Sequence, residues 1–352
     1  MSDINIRIEG RAGRITLNRP SALNALTHEM LTAIEAALDT WINDEAVALV
    51  LVDASGDKAF CAGGDVQKLY DRGMAGDFAY GQAFWADEYR LNLKIFEYPK
   101  PVVSFLQGFT MGGGVGIGCH GSHRIVCESS TISMPECSIG LVPDVGGSLL
   151  LTLAPGRLGE YLAITTERLI GADAVYAGFA DTLISLDKWD QLKANLIQSG
   201  DIGVIGELST TVQPGQIEAL QNSIDKYFGG ETLGDIVRGL EFALDTPESA
   251  DFSAQALKKI QRNSPQAMAC AIEVMHRLRG PTLSMRKALE LEYRFTYRAM
   301  EHGDFLEGIR AMIIEKDRKP NWHHDLENPP LLAVTKMLMP LGSDKLSFER
   351  KS

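Results

Sequence analysis

The sequence predicts an α/β core followed by a mainly helical region. Three observations carry this. Over the first half of the chain, apolar runs of strand length alternate with helical patterns. One run, Val47–Val52, is apolar throughout rather than alternating, as expected of a strand covered on both faces. From about residue 185, strand-like runs nearly vanish and long amphipathic patterns replace them. The change falls within 185–250. A division at 200 makes 1–200 the core that carries the active site and 201–352 the helical region packing on it.

The elements follow in order. Ile15-Thr16-Leu17 is a strand signal, ended by the turn Asn18-Arg19-Pro20. Met30, Ile34, Leu38, Trp41 and Ile42 recur at helical spacing behind Thr27, a capping residue type. Val47–Val52 and Val102–Leu106 are strands. Arg124–Cys127 and Thr131–Met134 read as a further strand pair. Ser264-Pro265 is an N-cap followed by an N1 proline, and the helix runs to Arg279 with Gly280 at C′. Thr282 opens another helix that closes near His302-Gly303. Met337 and Met339 belong to a short apolar tail expected to dock on the core.

A chain of 352 residues suggests about two domains and buries enough surface to need neither metal nor disulfide. Its net charge of −12 argues against nucleic acid or an anionic membrane as partner, but not against an anionic small ligand that meets a local basic patch. The five cysteines form no CxxC pair, and the start Met1-Ser2-Asp3-Ile4-Asn5 has no leader pattern. Free thiols in a reducing compartment are expected, the cytoplasm by default. No apolar run approaches the roughly 20 residues that span a membrane.

Two glycine-rich segments stand out. Ala62-Gly63-Gly64-Asp65 follows Ala59-Phe60-Cys61, and Gly112-Gly113-Gly114 follows Thr110-Met111. Without a Cβ in the way, such segments let backbone N–H groups approach a ligand. Two of them could aim two donors at one oxygen, as an oxyanion hole requires. The ordinary alternative is a tight turn packed on a neighbouring strand. Close packing accounts for Gly116 and Gly118 and accounts less well for Gly112–Gly114. Gly116, Gly118 and Gly121 also fit G-x-G-x-x-G, but the match begins inside a helix and no acidic residue follows a strand about 20 residues on, so a nicotinamide enzyme is disfavoured.

Two carboxylates lie downstream. Glu136 follows a proline at a strand end, among Ile132, Met134, Cys137, Ile139 and Leu141, so burial is expected and needs a reason. Asp144 stands between Pro143 and Gly146-Gly147, where it would serve as an N-cap, a substrate contact or both. The histidines lack metal-ligand spacing: there is no H-E-x-x-H, and no G-x-S-x-G elbow or phosphate loop either. No metal is expected.

Taken together, Ile15–Pro20 with Ala22–Leu26, Phe60–Asp65, Gly112–Gly114 and Ile139-Gly140-Leu141 resemble the crotonase (enoyl-CoA hydratase/isomerase) superfamily. The resemblance covers roughly residues 5–325. It implies a ββα superhelix core with a C-terminal helical region, and an oxyanion hole for an acyl-CoA thioester. Its donors would be the Gly64 and Gly113 amides, with Ala62, Gly63, Asp65 and Gly112 beside the substrate. Hydratases of the family carry one catalytic Glu on the helix after the triple glycine. Here that position is Gly116. The second hydratase Glu matches Glu136, and Asp144 stands where hydratases usually have Gly. This combination resembles the 3-hydroxyisobutyryl-CoA hydrolase subfamily. So do Trp85–Asn92, Glu292-Tyr293-Arg294, Asp304–Ala311 and Asp317–Trp322.

That subfamily implies hydrolysis of a 3-hydroxyacyl-CoA in valine breakdown. Glu136 would be nucleophile or general base, and Asp144 and Glu88 would hold the 3-hydroxyl. Coenzyme A is then part of the substrate, and no bound cofactor is implied. Arg19, Lys58 or Lys68 would meet its phosphates, with a solvated surface role as the alternative for each. Assembly into a homo-oligomer stays open. An enoyl-CoA hydratase/isomerase and a non-catalytic acyl-CoA binder are the competing readings.

Overall fold

The structure, a computed structural model, describes residues 2–209, 212–326 and 331–349. Met1, part of the start read for a leader, lies outside them. The described residues form ten strands: β1 (Ile4–Glu9), β2 (Ala12–Leu17), β3 (Leu49–Ala54), β4 (Ala59–Cys61), β5 (Val102–Phe105), β6 (Phe109–Met111), β7 (His123–Val126), β8 (Thr131–Ser133), β9 (Leu169–Ile170) and β10 (Thr182–Leu183). They form a six-stranded sheet, ordered β1-β2-β3-β5-β7-β10, and a four-stranded one, β4-β6-β8-β9. Of these strands, β1/β2 and β8/β9 pair antiparallel and the other neighbours pair parallel.

The chain divides into two compact units. The first comprises the residues up to Gly64, Arg90–Ser133 and Arg168–Glu218, and holds both sheets. The second comprises Asp65–Tyr89, Met134–Glu167 and the chain from Ala219 on. Each unit thus takes up three separate stretches of the chain. The reason is that helical excursions of the first half pack on the C-terminal helices. A Cβ on Gly73 would lie 2.6 Å from Leu306, and the Trp85 ring sits 5.4 Å from Phe305.

In the first unit, burial of Leu49, Val50, Leu51 and Val52 on both faces explains the apolar run of β3. Helix α1 (His28–Trp41) begins at Thr27, whose hydroxyl accepts from the Met30 amide. Its Trp41 ring lies so close over Gly13 that a Cβ there would be 2.5 Å away. Ala12, the next residue of β2, joins Leu49, Leu51, Val103, Phe105 and Ile125 in a core with the helix Trp189–Ser199. Phe105 and Trp189 meet edge to face at 5.2 Å.

Some expectations change. Strands β7 and β8 do not pair with each other. β7 lies between β5 and β10, and β8 between β6 and β9. Ser130 turns the chain between the sheets: its hydroxyl donates to the Leu106 carbonyl and accepts from the Cys127 amide. β1, with its alternating Ile4, Ile6 and Ile8, is an additional edge strand.

In the second unit, α2 (Val66–Met74) and the first residues of α3 (Phe78–Phe96) join the helices Leu233–Ala243, Ala250–Ile260, Pro265–Leu278 and Met285–His302. Ser264 caps its helix as expected. The next helix starts at Met285, capped by Ser284 rather than opened at Thr282. In the tail, Met337 is buried and Met339 exposed.

Candidate active site

The glycine segments occupy equivalent places in the first unit. β4 and β6 are parallel neighbours, and each segment leaves the C-terminal end of its strand. Gly63 has φ +116° and Gly112 has φ +50°, conformations that only glycine adopts readily. Each precedes a proposed donor, so each sets the direction in which the next amide points. A Cβ on Gly63 would lie 3.5 Å from the Met111 carbonyl oxygen and 4.0 Å from the Gly113 nitrogen. The two segments are therefore brought together. Among the described residues neither the Gly64 nor the Gly113 amide donates a hydrogen bond, although the Ala62 amide nearby donates to Leu23. Gly113 is buried and Gly64 half-buried; buried amides are nearly always paired, so an unengaged amide at each of these neighbouring strand ends suits an external oxygen.

Helix α4 (Gly113–Gly118) shows what the other glycines do. A Cβ on Gly118 would strike Leu106 and Phe60, and one on Gly114 would come within 2.3 Å of the Cys61 carbonyl oxygen. Close packing thus explains Gly114 as well as Gly118, against the expectation that it accounts poorly for the triple glycine. Gly116 is buried within the helix and brings no side chain to the position where hydratases carry an acid.

The carboxyl groups gather in the second unit. Glu88 and Tyr89 come from α3, and Glu136 opens a short turn, Glu136–Ile139. Gly140 closes that turn at φ +74°, where a Cβ would strike the Asp304 backbone. Asp144 precedes helix α5 (Gly147–Leu153). Its carboxyl accepts the Tyr89 hydroxyl at 2.8 Å and does not cap the helix. Glu292 does that work: it accepts from the Gly146 amide at 2.8 Å, the Ser148 amide at 3.1 Å and the Ser148 hydroxyl. The capping alternative for Asp144 is thereby overturned.

Glu88, Glu136, Asp144 and Glu292 are all buried. Among the described residues no lysine, arginine or histidine pairs with any of them. Burial, then the charge of Asp144, holds the Glu88 and Glu136 carboxyls well above the usual range. Burial raises Asp144 to about 7, with the Tyr89 hydroxyl offsetting part of the rise. Burial raises Glu292 to about 8 although the Ser148 hydroxyl favours its anion. Four such groups without a cation cannot all ionise near neutrality, so the cluster keeps protons there. One oxygen each of Glu88 and Glu136 has no hydrogen-bond partner within the protein.

Asp65 stands at the N-cap of α2 without a side-chain cap bond. Arg19 is engaged locally, donating to the Ala25 carbonyl and pairing with Asp3. Lys58 and Lys68 are exposed, Lys68 lying 5.4 Å from the Tyr80 ring centre. Tyr89 and Asn92 stand within the sequence stretch singled out above but received no role. Asn92 is buried with both amide atoms unpaired within the protein. Glu292, within the resembling segment Glu292-Tyr293-Arg294, received none either. No described group of His, Cys, Asp and Glu could hold a metal ion, and no described helix is long and apolar enough to cross a membrane.

The enoyl-CoA hydratase/isomerase family model matches residues 12–335. The chain belongs to the enoyl-CoA hydratase/isomerase family. Within this crotonase superfamily, a Danio rerio relative named 3-hydroxyisobutyryl-CoA hydrolase, mitochondrial, is 35% identical over 91% of this chain and 85% of its own length. A solved Rhodobacter sphaeroides structure described as an enoyl-CoA hydratase is 52% identical, with a TM-score of 0.92, covering 98% of this chain and 100% of the other. A Mycobacterium thermoresistibile structure described as a carnitinyl-CoA dehydratase is 37% identical with a TM-score of 0.92, covering 100% of both chains. The names of these family members thus divide between hydrolysis and water addition or removal.

Proposed function

We propose that the protein hydrolyses an acyl-CoA thioester, most specifically 3-hydroxyisobutyryl-CoA in valine catabolism. One observation carries this choice within the family. Gly116 leaves the first hydratase acid missing, while Glu136 remains and Asp144 is added. The name of the Danio rerio relative supports the same reading.

In the proposed reaction the Gly64 and Gly113 amides donate hydrogen bonds to the thioester oxygen as it gains charge. One such donor contributes about 3 kcal/mol to the transition state. Glu136, as its carboxylate, attacks the carbonyl and expels the coenzyme A sulfur to give an anhydride that water then hydrolyses, or it deprotonates a water that attacks the carbonyl directly. Asp144 and Glu88 hold the substrate 3-hydroxyl, and Asp144 helps orient or protonate. Ala62, Gly63, Asp65 and Gly112 border the acyl group. Coenzyme A departs as the thiol, so no bound cofactor or metal takes part. Lys58 and Lys68 remain the candidates for its phosphates.

A thiol-release assay on 3-hydroxyisobutyryl-, 3-hydroxypropionyl- and crotonyl-CoA tests this. Release is expected from the 3-hydroxyacyl substrates, and Glu136→Gln should lower kcat at least about a hundredfold. Single-turnover oxygen-18 labelling separates the routes, because label entering Glu136 marks the anhydride. The Rhodobacter sphaeroides name favours a second reading, enoyl-CoA hydration. Hydration of crotonyl-CoA at a rate matching thiol release would establish that reading instead. Coenzyme A binding without turnover, insensitive to Glu136→Gln, would identify a non-catalytic binder.

For location we propose a reducing compartment, with the cytoplasm as the default, and the five free, buried cysteines suit any such compartment. The curated relatives are mitochondrial by name, and fractionation against markers of both compartments decides.

A further inference from the structure

The helix Met285–His302 sends two side chains, one turn apart, toward the residues that the proposed function depends on. Glu292 holds the Gly146 and Ser148 amides and the Ser148 hydroxyl. Thr296 lies 3.4 Å from the Tyr89 phenol oxygen, and that phenol donates to Asp144. The turn between these anchors is strained. Val145 has φ +52°, a conformation that a β-branched residue avoids, and Gly146 has φ +78°. Backbone strain of this kind persists only where surrounding contacts over-determine it. Glu292 is fully buried, and its three acceptor contacts supply that constraint.

We propose that Glu292 is a positioning residue for Asp144, locking the Val145–Gly146 turn so that the Asp144 carboxyl faces the Tyr89 hydroxyl. The inference rests on the proposed role of Asp144 in thioester hydrolysis. Glu292 itself does not touch substrate. It also acts through its charge. The titratable groups around this site are Asp144 in the loop, Glu88 and Tyr89 on α3, Glu136 in the short turn and Tyr293 on its own helix. The charge of Asp144 disfavours ionisation of Glu292, and because the coupling of two titrating groups is mutual, charge on Glu292 disfavours ionisation of Asp144 in turn. Removing the Glu292 charge therefore makes Asp144 easier to ionise.

Two variants test the proposal. Glu292→Gln keeps the shape and removes the charge. Ser148→Ala keeps the carboxyl but deletes a donor that stabilises its anion, so Glu292 carries less charge at a given pH. In both, the Asp144 titration should move to lower pH, further in Glu292→Gln. It is followed without turnover by carbon-13 NMR of aspartate-labelled full-length protein, with Asp144→Asn assigning the signal. In kinetics, Glu292→Gln should lower kcat by about ten- to a hundredfold, with KM for 3-hydroxyisobutyryl-CoA changed less than threefold. The acidic limb of its pH profile should move the same way as the NMR midpoint.

A lowered kcat with an unmoved limb and an unmoved Asp144 titration would leave Glu292 only a structural role and overturn the proposal. Unchanged kcat in Glu292→Gln overturns it too. If Glu292→Gln does not fold, an unmoved Asp144 midpoint in Ser148→Ala is decisive against it. Wild-type protein that releases no thiol refutes the hydrolase reading, while the NMR midpoints still judge the coupling between Glu292 and Asp144.

Discussion

Asp144 shows at the residue scale how function opposes stability. Folding takes its carboxyl from an ordinary 3.8 to about 7. The native state thus binds this proton more tightly than the unfolded chain does. The stabilisation is full below the unfolded value and is lost as pH rises through about 7. Asp144→Asn cannot ionise, and its amide oxygen can still accept from Tyr89. It should be more stable than wild type at pH 8, by up to about 4 kcal/mol if the whole shift is realised. The gap should narrow at pH 5. Urea melts at both pH values measure this, and a constant gap would contradict the raised carboxyl. On the proposed mechanism the same variant should also lose thiol-release activity.

At the scale of elements, two contacts have predictable consequences. Helix α6 (Leu158–Thr165) carries Glu160, fully buried, which accepts from Arg279 through both oxygens at 2.7 and 2.9 Å and from Arg157 at 3.0 Å. Burial pushes its carboxyl up, but His276 and Arg279 outweigh that and bring it down to about 2. Such a group stabilises the fold above its ordinary 4.5, and the contribution fades as pH falls toward 2. Arg279→Met should cost about 2–3 kcal/mol at pH 7, the lower end for a broken buried pair because Arg279 is one-third exposed. The deficit should shrink near pH 3, as chemical denaturation would reveal. The second contact is Gly114 on Cys61. Gly114→Ala gains about 1 kcal/mol of helix propensity but drives a Cβ into a backbone carbonyl. It should lower both melting temperature and thiol-release rate, because the strands that carry Gly64 and Gly113 must part. A variant with unchanged rate and raised melting temperature would show that this approach is slack.

For the whole molecule, burial of every cysteine predicts chemical inertness. Burial raises the Cys119 thiol to about 12, and Cys137 and Cys270 are raised as well. Native protein should react slowly with a thiol reagent at pH 8, and denatured protein should titrate all five thiols. Rapid labelling of a native cysteine would contradict the packing.

Local patterns in the sequence determined much of this protein. The Thr27 and Ser264 caps, the doubly buried β3 and the two glycine segments at strand ends are legible because each depends on neighbours in the chain or on a period of two or 3.6 residues. Glu136 was legible through its apolar flanks. Tertiary structure alone decided the rest. Strands of two or three residues such as β9 and β10 are too short to show a period, and sheet membership separated β7 from β8. Glu292 meets its loop across 146 positions of sequence, so no local signal distinguishes it from a surface acid. The protonation of the carboxyl cluster was likewise beyond any motif, because it arises from burial and from the absence of a cation partner among the described residues, and both depend on what the folded chain brings around each group.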